Sequence, residues 1–189
     1  MMSSSKKQQN TLSAEKLQKI ALFYLSRYEA TEKSLKDVLK RRIEKAKNNG
    51  IDVQNAENSI NNIISKMKEY NYLSDERYAE NKVKELFAKG KSKKIIEQKL
   101  ALKGIKSETI SKVLSSLDDA NNYNTDFIAA VNFARKKKIG PFRKKLLENS
   151  IKKELGKMAR GGFDYETSKK IVLAATESDL TCSNGSNND

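Results

Sequence analysis

Gly104-Ile105-Lys106-Ser107-Glu108-Thr109-Ile110-Ser111-Lys112-Val113 aligns without a gap on Gly162-Phe163-Asp164-Tyr165-Glu166-Thr167-Ser168-Lys169-Lys170-Ile171. Gly, Glu, Thr and Lys coincide, and hydrophobic residues match at the second and tenth places. Gly50-Ile51-Asp52 opens a corresponding turn upstream, so the turn glycines fall 54 and then 58 residues apart. Repeats of this length are stacked supersecondary units, each burying its open face on a neighbour. Glycine suits such a place because a helix end that needs φ > 0 carries a Cβ penalty for other residues. Any helical protein ends helices on Gly, which accounts for one turn but not for an aligned decapeptide.

Outward from these turns, apolar residues recur at the helical period and no run alternates as a strand does. Ser13 is a plausible N-cap for a helix bearing Leu17, Ile20, Ala21, Tyr24, Leu25 and Tyr28 on one stripe. Thr31 caps a second, with Leu35, Val38, Leu39 and Ile43, up to the stop Asn48-Asn49-Gly50; Ala56, Ile60, Ile63, Ile64 and Met67 define a third. The order returns. Ser74 or Asp75 opens a helix with Tyr78, Ala79, Val83, Leu86 and Phe87 inward, and Ser92 opens one with Ile95, Ile96 and Leu100 that Gly104 ends. Ser107 caps the sixth, with Ile110, Val113, Leu114 and Leu117 inward. Phe127, Ala130, Val131 and Ala134 begin a third unit. Pro141 stands at a first helical position and starts a long basic helix with Phe142, Leu146, Ile151, Leu155 and Met158, and a last helix holds Ile171, Val172 and Ala175.

The expected fold is all-α: an elongated, curved array of three tandem three-helix repeats, residues 12–70, 71–120 and 121–176. Residues 1–11 and 177–189, rich in Ser, Asn, Gln and Asp, have too few apolar side chains to offset ordering entropy and are expected to be disordered tails. Apolar residues make up 37% of the 189 and charged residues 33%, with no Trp and one Pro, which suits helices sharing small cores. A monomer is the simplest expectation for such an array with polar ends.

The chain has no His and a single Cys, Cys182, in the polar stretch TCSNGSNND. That removes His-based triads, HExxH motifs and Cys/His zinc sites together. No segment approaches the ~20 consecutive apolar residues of a spanning helix. MMSSSKKQQN has no apolar stretch after its lysines, so it does not read as a secretory signal, and a cytoplasmic location is expected.

The formal charge is +14, with 38 Lys and Arg against 24 Asp and Glu. It is concentrated: residues 33–47 carry seven Lys/Arg against two acids, residues 89–106 seven against one, and residues 135–160 eleven against two. These segments surround the second helix of every unit. The expected basic face comprises Lys40, Arg41 and Arg42 in the first block and Lys91, Lys93, Lys94, Lys99 and Lys103 in the second. The third supplies Arg135, Lys136, Lys137, Lys138, Arg143, Lys144, Lys145 and Arg160. A row of such cations displaces condensed counterions from phosphates without reading sequence. Lys outweighs Arg, which favours phosphate contact over bidentate recognition of guanine edges. Nucleic acid, or an acidic protein surface, is therefore the expected partner, and DNA, single- or double-stranded, would be held without sequence specificity. Taken singly, each segment is equally well a solvated helix face. The tyrosines Tyr24, Tyr28, Tyr70, Tyr72, Tyr78, Tyr123 and Tyr165 could stack on single-stranded bases, but most fall on apolar stripes or helix ends, where core or rim packing is expected.

Tyr24-Leu25-Ser26-Arg27, Ser34-Leu35, Val38-Leu39-Lys40-Arg41-Arg42 and Tyr72-Leu73-Ser74-Asp75-Glu76-Arg77-Tyr78-Ala79 resemble the RecX family. Gly90-Lys91-Ser92, Ile95, Leu100 and Lys103-Gly104-Ile105 follow in the family's order, and Arg160-Gly161-Gly162-Phe163 resembles its closing turn before the last helix. The resemblance spans residues 14–175. It departs at Ser92, where a second glycine is common, and over residues 44–59, a longer, Asn-rich connection. What it implies is a cytoplasmic regulator of homologous recombination and the SOS response to DNA damage. Such a protein lies in the groove of the RecA-DNA filament, inhibits recombination and ATP hydrolysis and promotes disassembly, with no catalytic residue, metal or cofactor.

Three other classes stay open on residues alone. A sequence-independent nucleic-acid-binding helical repeat needs no recombinase partner. A nuclease would need a convergent carboxylate cluster for Mg²⁺, and the acidic neighbours are Asp118 and Asp119, with Asp75 and Glu76 at a helix start, where carboxylates cap. A helical scaffold would carry its charge for solubility alone.

Overall fold

The computed structural model describes residues 11–122, 124–143, 145 and 150–181. Residues 1–10 and 182–189, with Cys182, and also Tyr123, Lys144 and Leu146 lie outside the described residues. The described chain is all helical: α1 (Ala14–Leu25), α2 (Glu32–Asn48), α3 (Gln54–Glu69), α4 (Asp75–Ala88), α5 (Lys93–Leu102), α6 (Ser107–Ala120), α7 (Thr125–Lys137), a 3₁₀ turn Gly140–Phe142, α8 (Ser150–Arg160), α9 (Tyr165–Leu173) and α10 (Ser178–Thr181). It divides into two compact units, Met1–Tyr78 and Ala79–Asp189, with the boundary inside α4. Repeats over 12–70, 71–120 and 121–176 are our proposal for the organisation within that division. Among the described residues no helix is long and apolar enough to cross a membrane.

Left-handed residues punctuate the helices in a recurring order. Gly50, Gly104 and Gly162 follow α2, α5 and α8 at φ +70°, +81° and +84°. Asn71 and Asn122 follow α3 and α6 at φ +57° and +49°, the conformation that Asn tolerates best after Gly. The aligned decapeptides share their register: α6 begins at Ser107 and α9 at Tyr165, each three residues past its glycine. Ile105 and Phe163 are correspondingly buried beside those glycines.

In the first unit the α1, α2 and α3 stripes close on one core, with Leu17, Leu35, Leu39 and Met67 fully buried among Ile43, Ala56, Ile60, Ile63 and Ile64. Each such Leu contributes about 1.5–3 kcal/mol by leaving water. Ser13 and Thr31 cap α1 and α2 as expected, accepting from Lys16 and Ser34 N–H. Tyr28 is instead 57% exposed, because α1 ends at Leu25 before the stripe reaches it.

The second helices α2 and α5 each receive another cap from the helix two elements further on. Asp75, in the first turn of α4, accepts the Glu32 N–H that opens α2 at 2.8 Å. Asp126, in the first turn of α7, accepts the Lys93 N–H that opens α5, also at 2.8 Å. Ser74 caps α4 itself through the Arg77 N–H.

In the second unit, Ala129, Ala130 and Ala134 let α7 approach its neighbours closely, and Ile139, Met158, Phe163, Ile171 and Val172 complete the core. Three expectations are corrected there. No helix starts at Pro141: the Gly140 N–H is taken by Glu154 Oε2 at 3.0 Å, and a Cβ on Gly140 would meet the Ile171 carbonyl oxygen at 2.2 Å. This pinned backbone makes only a 3₁₀ turn, Arg143 is extended, and in α8, described over Ser150–Arg160, Ile151 is 41% exposed rather than inward. Ser107 is the first helical residue of α6 rather than its cap; Lys106 precedes it with no side-chain cap bond. Finally, residues 178–181, assigned to the polar tail, form α10. The Asp179 carboxylate accepts the Ala175 and Thr176 N–H groups, and Leu180 is buried in the core.

Candidate nucleic-acid interface

The basic blocks have different fates. In the first unit, Leu35, Leu39, Ile43 and Ala46 take the inner face of α2, and Lys40, Arg41 and Arg42 are exposed. Arg41 Nε donates to the Asp37 carbonyl oxygen of its own helix at 3.2 Å. Consecutive along the helix, these three cations point about 100° apart from one to the next, so the row is open and divergent.

In the second unit four cations converge. Lys91, Lys137, Lys157 and Arg160 line a cleft of about 330 Å³ whose apolar wall is Ile95 and Phe133, with Gly161 at its edge. Three local devices build it, two glycine turns and one side-chain hydroxyl. Gly90 ends α4 at φ +71° so close to α7 that an added Cβ would lie 2.8 Å from the Phe133 nitrogen. Ser92, fully buried, caps α5 by accepting from Ile95 N–H and donates its hydroxyl to the Gly161 carbonyl oxygen at 2.8 Å. Gly162, at φ +84°, leaves room for that hydroxyl, since its Cβ would fall 2.4 Å from Ser92 Oγ. Ser92 therefore ties the start of α5 to the α8–α9 turn, which brings Lys91 beside Arg160 across 69 residues of sequence. Phe133 is held by a tilted contact with buried Phe163, ring centres 5.4 Å apart.

Of the residues singled out by sequence, Lys91, Lys137 and Arg160 meet here. Lys157 is a fourth that sequence did not single out, although Lys157, Arg160 and Gly161 share one helical face by their i, i+3, i+4 spacing. Several others turn elsewhere. Lys93 pairs with Asp118 of α6 at 3.0 Å. Arg135 pairs with Glu177 and lies over the Phe142 ring. Lys136 donates to the Ala88 carbonyl oxygen at 3.2 Å. Arg143 is structural: its guanidinium meets buried Glu154 at 2.8 Å and donates to the Val172 carbonyl oxygen. Lys94, Lys99, Lys103, Lys138 and Lys145 are exposed, and none of them lines the cleft.

Of the tyrosines, Tyr78 is buried and Tyr24 packs against the first core, as expected. Tyr28, Tyr70, Tyr72 and Tyr165 are 55–62% exposed. Among the described residues no group of three or more His, Cys, Asp or Glu is placed to hold a metal ion. What the cleft offers is electrostatic and aromatic chemistry: four positively charged side chains around one aromatic ring.

Comparisons with known proteins bear on the family and the fold. A family model described as the second three-helix domain of RecX matches residues 74–114, which run from the start of α4 into α6. The chain is 36% identical over 159 residues to a protein named regulatory protein RecX from Myxococcus xanthus, covering 82% of this chain and 83% of the relative. It is 34% identical over 160 residues to one of the same name from Agrobacterium fabrum, covering 83% and 82%. The crystal structure of RecX from Lactobacillus salivarius superposes with a TM-score of 0.64 over 86% of this chain and 96% of that one, at 23% identity, a likeness of fold.

Proposed function

This chain belongs to the RecX family of regulatory proteins, and from that premise we propose that it is a negative regulator of the RecA recombinase. It binds the RecA-DNA filament and inhibits recombination and ATP hydrolysis during DNA repair and the SOS response. It acts in the cytoplasm, as a monomer and without catalysis. The observation that supports this most is the convergence of Lys91, Lys137, Lys157 and Arg160 on one cleft. A chain of +14 that focuses cations from two helix ends and a loop is built to hold a polyanion. Three of the four are Lys, which contact phosphates as point charges, so DNA is held without sequence preference.

The test is RecA-dependent ATP hydrolysis on single-stranded DNA, titrated with this protein. Inhibition at well below one protein per RecA is expected. Tight, salt-dependent binding to DNA with no inhibition would overturn the regulator reading and leave a nucleic-acid-binding helical repeat.

A further inference from the structure

We infer that the second-unit cleft is a single-strand site, in which one unstacked base lies against Phe133 and Ile95 while the flanking phosphates sit on Lys91, Lys137, Lys157 and Arg160. The inference rests on the proposed action at a DNA filament and names the part of the nucleic acid that this site takes.

The composition of the cleft carries the argument. Cations alone would serve any nucleic-acid backbone, as the open row on α2 does. This cleft adds an apolar floor, and its volume of about 330 Å³ is at the small end of sites that enclose a single ligand group. A duplex keeps its base faces stacked inside and presents only groove edges and backbone, so an aromatic wall between cations gains nothing from it. A single strand offers every base's π-face, and stacking on an aromatic side chain is tolerant of base identity. Phe133 is suited to this because its contact with Phe163 fixes the ring before any ligand arrives. An acidic peptide would satisfy the cations equally well. The stacking wall and the predominance of Lys, which lacks the planar fork that grips a carboxylate, favour a nucleotide.

The experiment is fluorescence anisotropy of the full chain, without RecA, on a labelled thymidine 20-mer, the same length of duplex, and an aspartate-rich peptide. Two variants are compared with the parent. Phe133→Leu keeps apolar volume but removes the aromatic face, and Lys137→Gln with Lys157→Gln removes two exposed cations without touching the core. Phe133→Leu is expected to weaken single-strand binding about tenfold and duplex binding less than twofold. The lysine variant is expected to weaken single-strand binding and to flatten its log–log salt dependence by about 0.7 for each lost phosphate contact. Single-strand affinity unchanged in both variants would overturn the inference. So would peptide binding that falls in the lysine variant while strand binding does not, since the cleft would then belong to a protein partner. Should Phe133→Leu melt earlier than the parent, the lysine variant decides by the contrast between probes: a loss on the single strand that exceeds the loss on the duplex supports the inference, and equal losses on both overturn it. Because RecA is absent, failure here leaves the regulator proposal standing, and loss of RecA inhibition with strand binding intact fails only that proposal.

Discussion

The α2 row of the first unit, with three cations, and the cleft of the second, with four, both draw on Lys and Arg, yet only the cleft concentrates their charge. On α2, Lys40, Arg41 and Arg42 diverge from a convex helix surface, each facing water. In the second unit the turns at Gly90, Ser92 and Gly162 fold three such stretches onto one concavity and turn four of their other cations, Lys93, Arg135, Lys136 and Arg143, onto partners within the fold. Charge counted along a sequence thus measures what a surface can carry, while turn geometry decides where it points.

The sharpest way to break this comparison is through the ion pairs. Arg143→Ala leaves Glu154, 6% exposed, as a buried carboxylate with the Gly140 N–H as its remaining described partner. It should cost about 3–5 kcal/mol in urea unfolding. In the first unit Lys68→Ala removes an exposed pair with Glu32 and should cost about 0–1 kcal/mol. Equal costs would mean that Arg143 is not the structural cation described above.

The aligned glycines give the next contrast. Gly50 and Gly162 both need φ > 0, but an added Cβ meets nothing within 4 Å at Gly50 and meets Ser92 Oγ at 2.4 Å at Gly162. Gly50→Ala should cost about 1–2 kcal/mol from backbone strain alone. Gly162→Ala should cost more, and should also weaken DNA binding by displacing the Ser92–Gly161 tie. Identical unfolding midpoints for the two variants would contradict that tie.

The smallest effect expected is with pH. Asp164 caps α9, and hydrogen bonding from the Thr167 backbone N–H holds its carboxyl below the ordinary value of 3.8. A carboxyl depressed in the folded state binds protons more weakly than in the unfolded chain. Its stabilisation is therefore complete above pH ~4 and is lost as pH falls through the lowered value. An NMR titration of the Thr167 amide should show a midpoint under 3.8, and a midpoint at or above it would remove the cap from the account.

Much of the fold was legible in the sequence because it is local. Helical stripes, the Ser13 and Thr31 caps and the left-handed Gly50, Gly104 and Gly162 are encoded within one or two turns of the residues concerned. The site was less so. Lys91 and Lys93 look alike in sequence, and only the placement of Asp118, 25 residues beyond Lys93, sends one to a partner and leaves the other in the cleft. Pro141 misled for the same reason: its helix-starting preference is local, but Glu154 and Ile171 hold the backbone around Gly140 from a distance. Asp75 and Asp126, which serve helices 43 and 33 residues upstream, carry no local sign of that role.

One measurement tests the central claim most directly: RecA-dependent ATP hydrolysis on single-stranded DNA, titrated with two charge-reversed variants side by side. One carries Lys137→Glu, Lys157→Glu and Arg160→Glu in the cleft, the other Lys40→Glu, Arg41→Glu and Arg42→Glu on α2. Inhibition should weaken at least tenfold in the cleft variant and far less in the α2 variant; equal weakening, or a larger loss on α2, would contradict the account.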